Sequence, residues 1–262
     1  MARSGDDIPD FVLLGDDRTH DRKARGKFLS RGTVIHRFAF HVLRSRSATP
    51  AGLGCLSYYR DALRAYSSFK HGPGAFKVDF AVQDGIPWTS SDVRKAGTVH
   101  VGGDIEEVAA AELAVHQGRM PDRPFVLVGQ QYLADPSRSV GAVHPLWTYA
   151  HVPHGFTGDA TQAISSQIER FAPGFRDRIK GIAVRSTTEM SRYNENYAGG
   201  DIIGGASTPK QLIFRPRVAF DPYSAGIKGV WLCSASTPPG AGAHGMCGSN
   251  AAERALRHLS RR

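Results

Sequence analysis

Between Gly229 and Gly248 the chain reads GVWLCSASTPPGAGAHGMCG, which places two thiols, three hydroxyls, one imidazole and three closely spaced glycines within twenty residues. Each group suggests a chemistry. Ser234 and Ser236 are nucleophile types, but no G-x-S-x-G elbow surrounds them and no matching acid is evident, so hydrolysis ranks third among the readings. Cys233 and Cys247 flank His244, yet their spacing matches no common zinc pattern, and no metal is expected. Gly240, Gly242 and Gly245 spell G-x-G-x-x-G. A dinucleotide fingerprint has its glycines directly off the first strand and an acid about 20 residues later. Here Ser234 to Pro239 intervene and the sequence reaches Arg262 without another strand pattern, so that reading is set aside. Two readings stay open: a glycine-rich turn that packs a helix, and a loop whose bare backbone meets an electron-rich ligand.

The elements that must position this stretch follow from its pattern. Val230 to Cys233 is a short apolar run, read as a buried strand. Pro238 and Pro239 force the chain out of any ladder. Met246 to Leu259 predicts a helix, with Met246, Ala251, Ala255 and Leu259 at helical spacing and Arg254, Arg257, Arg261 and Arg262 at its C-terminal end, where cations suit the helix dipole. A second glycine-rich stretch, Tyr193 to Gly205, has no regular pattern. It reads either as a plain surface loop or as a wall where Tyr197, Gly199, Gly200 and Asp201 approach a flat ligand.

Upstream the pattern is that of a sheet with inserted helices. Ala75 to Val82 alternates as a half-buried strand, and Thr98 to Val101, Phe125 to Gln130, Leu146 to Val152 and Ile179 to Arg185 read as further strands. Helices are predicted over Tyr59 to Phe69, over Ile105 to Gln117 with Asp104 as N-cap, and over Asp159 to Phe171. The fold class is α/β, in the sense of an α+β sheet with helices plus a terminal strand–loop–helix. The net charge of +9 is concentrated: Arg18 to Arg46 holds nine basic residues against Asp21, which leaves the rest of the chain near +1. Residues 1–55 are therefore expected to be an unstructured basic extension, with a nucleic-acid arm as the sharper alternative and no specific nucleic-acid partner for the body. Residues 56–225 read as one region and 226–262 as another. Three cysteines, Cys55, Cys233 and Cys247, make no disulfide framework, and no run is long and apolar enough for a membrane span or a secretory signal, so a cytoplasmic location is expected.

Four phrases carry a family resemblance: His71 to Asp79 (HGPGAFKVD), Ile168 to Arg176 (IERFAPGFR), Asn196 to Asp201 (NYAGGD), and Cys233 to Gly240 with His244 to Gly248. Together they resemble the phytoene-desaturase-like FAD-dependent oxidoreductases, in the branch labelled pyridine nucleotide-disulfide oxidoreductase domain protein 2. The likeness runs from about Tyr59 onward. It implies that 56–225 is a substrate-domain-like region and that 226–262 completes an FAD-binding fold. It also implies hydride transfer from substrate to the flavin N5, with a small apolar or amine substrate and peripheral membrane contact as expected partners. Carried over by position, the cofactor role falls on Ala235, Ser236, Thr237, Gly242, His244, Gly245, Met246 and Cys247, with Tyr197, Gly199, Gly200 and Asp201 facing substrate or flavin. His244 is the one candidate for proton exchange, and a packed loop histidine is the plainer reading of it. The family's opening strand, glycine turn and helix have no counterpart before Tyr59, which implies a truncated form. The competing function is a non-catalytic remnant or interaction module that keeps only the substrate-domain fold.

Overall fold

The computed structural model describes residues 12–14, 64–226 and 229–260. The described residues divide into two units. One comprises Pro73–Tyr193 with Ala198–Ile202; the other comprises the described residues up to Gly72, Asn194–Tyr197 and those from Ile203 onward. In chain order the elements are β1 (Val12–Leu14), β2 (Gly74–Gln83), β3 (Thr98–Val101), α1 (Ile105–His116), β4 (Val126–Gly129), β5 (Val143–Val152), α2 (Thr161–Phe171), β6 (Ile179–Arg185), α3 (Thr187–Tyr193), α4 (Pro209–Ile213), β7 (Val230–Leu232) and α5 (Met246–Leu259).

The Pro73 unit is built on β2, whose alternation of Phe76, Val78, Phe80 and Val82 with Lys77, Asp79, Ala81 and Gln83 gives it one apolar face. β2 lies inside a five-stranded sheet of order β3-β4-β5-β2-β6, every neighbouring pair antiparallel. With its helices packed against that sheet, the fold is mixed α/β of the α+β kind, as expected. The apolar faces of β2, β4 and β5 close against Ile164 and Ile168 of α2, with Trp88 and Phe175 in the same core. Phe80 and Phe175 meet edge to face at 5.3 Å. Each such side chain contributes roughly 1.5–3 kcal/mol by leaving water.

The helix ends are held by polar groups the sequence supplies. Asp104 caps α1 by accepting the Glu107 N–H at 2.8 Å, as the pattern predicts. Asp159 accepts the Thr161 N–H at 2.8 Å ahead of α2. Glu107 then joins the two helices, bonding Arg170 of α2 and lying 3.6 Å from Arg123. The Arg170 hydrogen bond, with the charges of both arginines, holds the Glu107 carboxyl below the usual carboxylate range. Polar side chains also enter the core, Gln130 among them. Gln130 accepts from the Trp88 indole N–H at 3.0 Å and donates to the carbonyls of Val93 at 3.1 Å and Ala96 at 2.7 Å, so all three of these bonds tie the β2–β3 connection to the end of β4.

In the other unit β7 pairs in parallel with β1, Val12 opposite Val230 and Leu14 opposite Leu232. Residues 1–55 were expected to lie outside any element; three of them form β1, while the basic run Arg18 to Arg46 lies outside the described residues. The three-residue run is too short to carry periodicity, and only its partner β7 makes it a strand. Trp231 packs with Tyr223 and with Ala251 and Ala255 of α5. Of the helix expected over Tyr59 to Phe69, residues 64–67 are helical within the described part.

Candidate functional site

The strand–loop–helix expected near the C-terminal end is present: β7 leads through residues 233–245 into α5, which spans Met246–Leu259 as the spacing predicts. The loop is not slack. The Ser234 carbonyl accepts from both the Thr237 N–H at 2.8 Å and the Thr237 hydroxyl at 2.7 Å. Ser234 Oγ accepts the Ser236 N–H at 3.2 Å. The Cys247 thiol donates towards the carbonyls of Thr237 and Gly240 at 3.4 and 3.3 Å. Beneath the turn the buried Arg215 donates to the carbonyls of Gln211 at 3.0 Å and Ala235 at 3.2 Å. Tyr223 donates to the Pro238 carbonyl at 3.0 Å and accepts from Asn250 of α5 at 2.8 Å, which fixes the helix against the loop.

These bonds sort the residues singled out from sequence. Thr237 and Cys247 are buried with their polar atoms committed to the loop itself, so their side chains do not face outward. Ser236 is buried as well. Gly242, His244, Gly245 and Met246 are exposed, and Ala235 is half-buried. His244 Nδ1 accepts the Met246 N–H at 3.0 Å, which makes it a cap on the first turn of α5 and places its ring proton on Nε2. Past that bond, the N–H groups of Cys247 and Gly248 have no intrahelical acceptor, because the first turn of any helix lacks one. Burial, and next the nearby Cys247, push the Cys233 thiol up.

The glycines separate into two kinds when the space a side chain would need is considered. At Gly199 that space is filled by the His154 ring, at Gly200 by Thr187, at Gly204 by Ala235 and Ser236, and at Gly205 by Phe69. At all four the chain's own packing fills the space a side chain would need. Gly204 does bring its end of that stretch against the Ala235–Ser236 turn, with an added Cβ 3.2 Å from both residues. Tyr197 lies in the same unit, its N–H on the Asn194 carbonyl at 2.8 Å. Gly199, Gly200 and the fully buried Asp201 belong to the Pro73 unit. Gly240 is filled from below by Arg215, and Gly242 by His244. Gly245 and Gly248 differ: nothing lies within 4 Å of a Cβ at either. Among the glycines of 199–205 and 240–248, open approach to backbone is thus found only at Gly245 and Gly248, at the start of α5.

A second set of residues was not singled out from sequence. The face of the sheet opposite the main core carries His100, Phe125, His151, Tyr149 and Trp147 as a row of rings, successive centroids 5.2 to 6.2 Å apart. Lys77 lies over Trp147 at 5.8 Å and pairs with Asp79. His151 Nδ1 meets Glu112 of α1 at 2.8 Å. Burial, then the Glu112 charge, push the Tyr149 phenol up. The signal was available: alternate residues of Trp147-Thr-Tyr-Ala-His151 are aromatic, and in a strand alternate residues share a face.

The arrangement is a strand, a glycine-bearing loop and a helix start at which His244 takes the Met246 N–H and the Cys247 and Gly248 N–H groups have no intrahelical acceptor. Among the described residues no three of His, Cys, Asp or Glu gather as a metal site. No family model matches the chain. Over 93 residues the chain is 34% identical to the rat protein named pyridine nucleotide-disulfide oxidoreductase domain-containing protein 2, and 33% identical to the mouse protein of that name. Each match covers 35% of this chain and 16% of the relative, so the chain spans only a small part of the curated relatives it matches.

Proposed function

We propose that this chain contributes the flavin-ring side of an FAD-dependent oxidoreductase of the phytoene-dehydrogenase-like kind. The observation that carries the reading is the start of α5, where Gly245 and Gly248 leave open space beside the first-turn N–H groups. The partial similarity to the oxidoreductase-named relatives supports it. The site fits the electron-rich edge of a flavin: donors without side chains in the way, and a helix dipole whose positive end favours developing negative charge. When bound, a flavin supplies hydride acceptance at N5, and the protein supplies position.

In this reading the N–H groups of Cys247 and Gly248 orient the ring, and His244 holds the helix start in shape rather than transferring a proton. Arg215 and Tyr223 keep the Ala235–Pro238 turn and α5 in register. The half-buried row Trp147, Tyr149 and His151 is the surface of the Pro73 unit suited to a small apolar or amine substrate, through ring stacking and cation–π attraction.

Titration of FAD into the purified chain, followed by flavin fluorescence, tests this. Saturable quenching is expected from the parent and its loss from Gly248→Val. Gly248 lies in α5 with open space around it, so valine leaves the fold intact and its melting temperature close to the parent's. Gly245→Val should also abolish binding, at a cost of about 1–2 kcal/mol because its φ is 67°. A parent that shows no saturable quenching, or a folded Gly248→Val variant that binds as the parent does, would sink the proposal; the first result favours the non-catalytic module.

A further inference from the structure

Arg215 and Arg217, on either side of Pro216, turn inward without meeting a carboxylate. Arg215 is only 4% exposed, and it donates from Nε to the Gln211 carbonyl at 3.0 Å and from Nη1 to the Ala235 carbonyl at 3.2 Å. Gln211 is buried as well, its side chain bonded to the backbone of Lys70 and Ala206, so the first of these acceptors is held in place. Arg217 donates from Nη2 to the Ser224 carbonyl at 3.2 Å and lies over the Tyr66 ring, while its Nε is buried without an acceptor. Most of the N–H donors that two guanidinium groups carry are therefore unused. No acidic residue occurs between Asp201 and Asp221, and Asp221 accepts the Tyr223 N–H at 3.2 Å. Among the described residues neither arginine forms an ion pair.

Carbonyl dipoles complete hydrogen bonds but bring no net charge. A buried cation left with dipoles alone is costly, and buried charges are as a rule paired. The surroundings add positive potential instead of cancelling it. The Gly240 carbonyl accepts from the Cys247 thiol in the first turn of α5, at the positive end of that helix dipole. A Cβ at Gly240 would stand 2.9 Å from Arg215 Nη1, so a side chain there would cover the guanidinium that bare backbone leaves approachable. We infer that Arg215 and Arg217 form a receptor for a phosphate oxyanion. Guanidinium groups match phosphate oxygens in paired, charge-assisted hydrogen bonds, and a multiply charged anion compensates both cations at once. Two sources share this chemistry, free inorganic phosphate or pyrophosphate and the diphosphate of a nucleotide cofactor. The receptor does not require a flavin at α5.

Calorimetric titration of the full chain with inorganic pyrophosphate at fixed ionic strength tests this. One saturable site is expected, weakened roughly ten- to hundredfold in Arg217→Gln by the loss of charge-assisted bonds. Because the basic run Arg18 to Arg46 can attract anions by charge alone, Arg25→Gln supplies the control: it makes the same change in charge and should leave the affinity unaltered. The bound anion should also shield Arg217 of the parent from phenylglyoxal, a reading that needs no variant. FAD and riboflavin separate the sources. FAD affinity that falls in Arg217→Gln while riboflavin affinity holds assigns the receptor to the cofactor's diphosphate; a loss confined to pyrophosphate assigns it to the free anion. Pyrophosphate binding that depends on Arg217 in a chain that never quenches flavin would leave the receptor standing and the flavin reading refuted. A chain that binds neither pyrophosphate nor FAD in an Arg217-dependent way overturns the receptor. Binding that Arg25→Gln weakens equally, or saturation that leaves Arg217 unshielded, overturns it too.

Discussion

Replacing Gln130 by leucine keeps the volume of the side chain but removes three hydrogen bonds at the centre of the Pro73 unit. The Trp88 indole N–H is left buried without an acceptor, since Trp88 is only 2% exposed, at a cost of about 1–3 kcal/mol. The carbonyls of Val93 and Ala96 belong to half-buried residues and regain water in part, so each adds about 0.5–1 kcal/mol. The variant should lose about 2–5 kcal/mol, a large part of the 5–15 kcal/mol typical of a whole domain. Urea unfolding followed by far-ultraviolet circular dichroism measures this as a lower midpoint at unchanged slope. The decisive control is Trp88→Phe combined with Gln130→Leu. Removing donor and acceptor together should recover part of the loss, because the penalty lies in the orphaned partner. A single variant within about 0.5 kcal/mol of the parent, or a double variant as costly as the two singles added, would refute this assignment of the energy.

Two further outcomes follow from bonds described above. Glu107 has its folded-state pKa lowered, chiefly by Arg170, so its contribution is present above its unfolded pKa near 4.3 and is lost as pH falls through the lowered value; Glu107→Gln should therefore melt below the parent at pH 7 and equal it in strong acid. Tyr223→Phe removes the hydroxyl between Pro238 and Asn250 and should cost about 1–2 kcal/mol, with faster amide exchange at the start of α5 and little change in the Pro73 unit.

The elements with strong periodicity were legible from residues alone. β2, α1 and α5 lie where alternation, the Asp104 cap and the Met246–Ala251–Ala255 spacing put them. α3 was not read, although Ser186 and Glu189 form a reciprocal cap, the Ser186 N–H on the glutamate at 2.8 Å and the Glu189 N–H on the Ser186 hydroxyl at 3.3 Å. The signature Ser-x-x-Glu was visible, but two β-branched threonines and a single buried apolar side chain, Met190, obscured the helix behind it. The glycines were the harder case. Which of them face open space depends on where His154, Thr187, Phe69 and Arg215 arrive from elsewhere in the chain, and no local pattern encodes that. The inward turn of Arg215 and Gln211 was hidden for the same reason.

The place of β2 in its sheet bears on how the protein is made. During synthesis β2 emerges ahead of both its neighbours, since the strands that cover its two edges begin only at Val143 and Ile179. Until then an alternating strand with Phe76, Val78 and Phe80 on one face has neither lateral partner nor helix above it. β3, α1 and β4 leave the ribosome in between, and β4 itself must wait for β5 before it is joined to β2. Such non-local pairing slows folding and lengthens the exposure of unpaired edges. Yield of the native chain should accordingly depend on translation rate and on holdase chaperones more than on the final stability of the sheet.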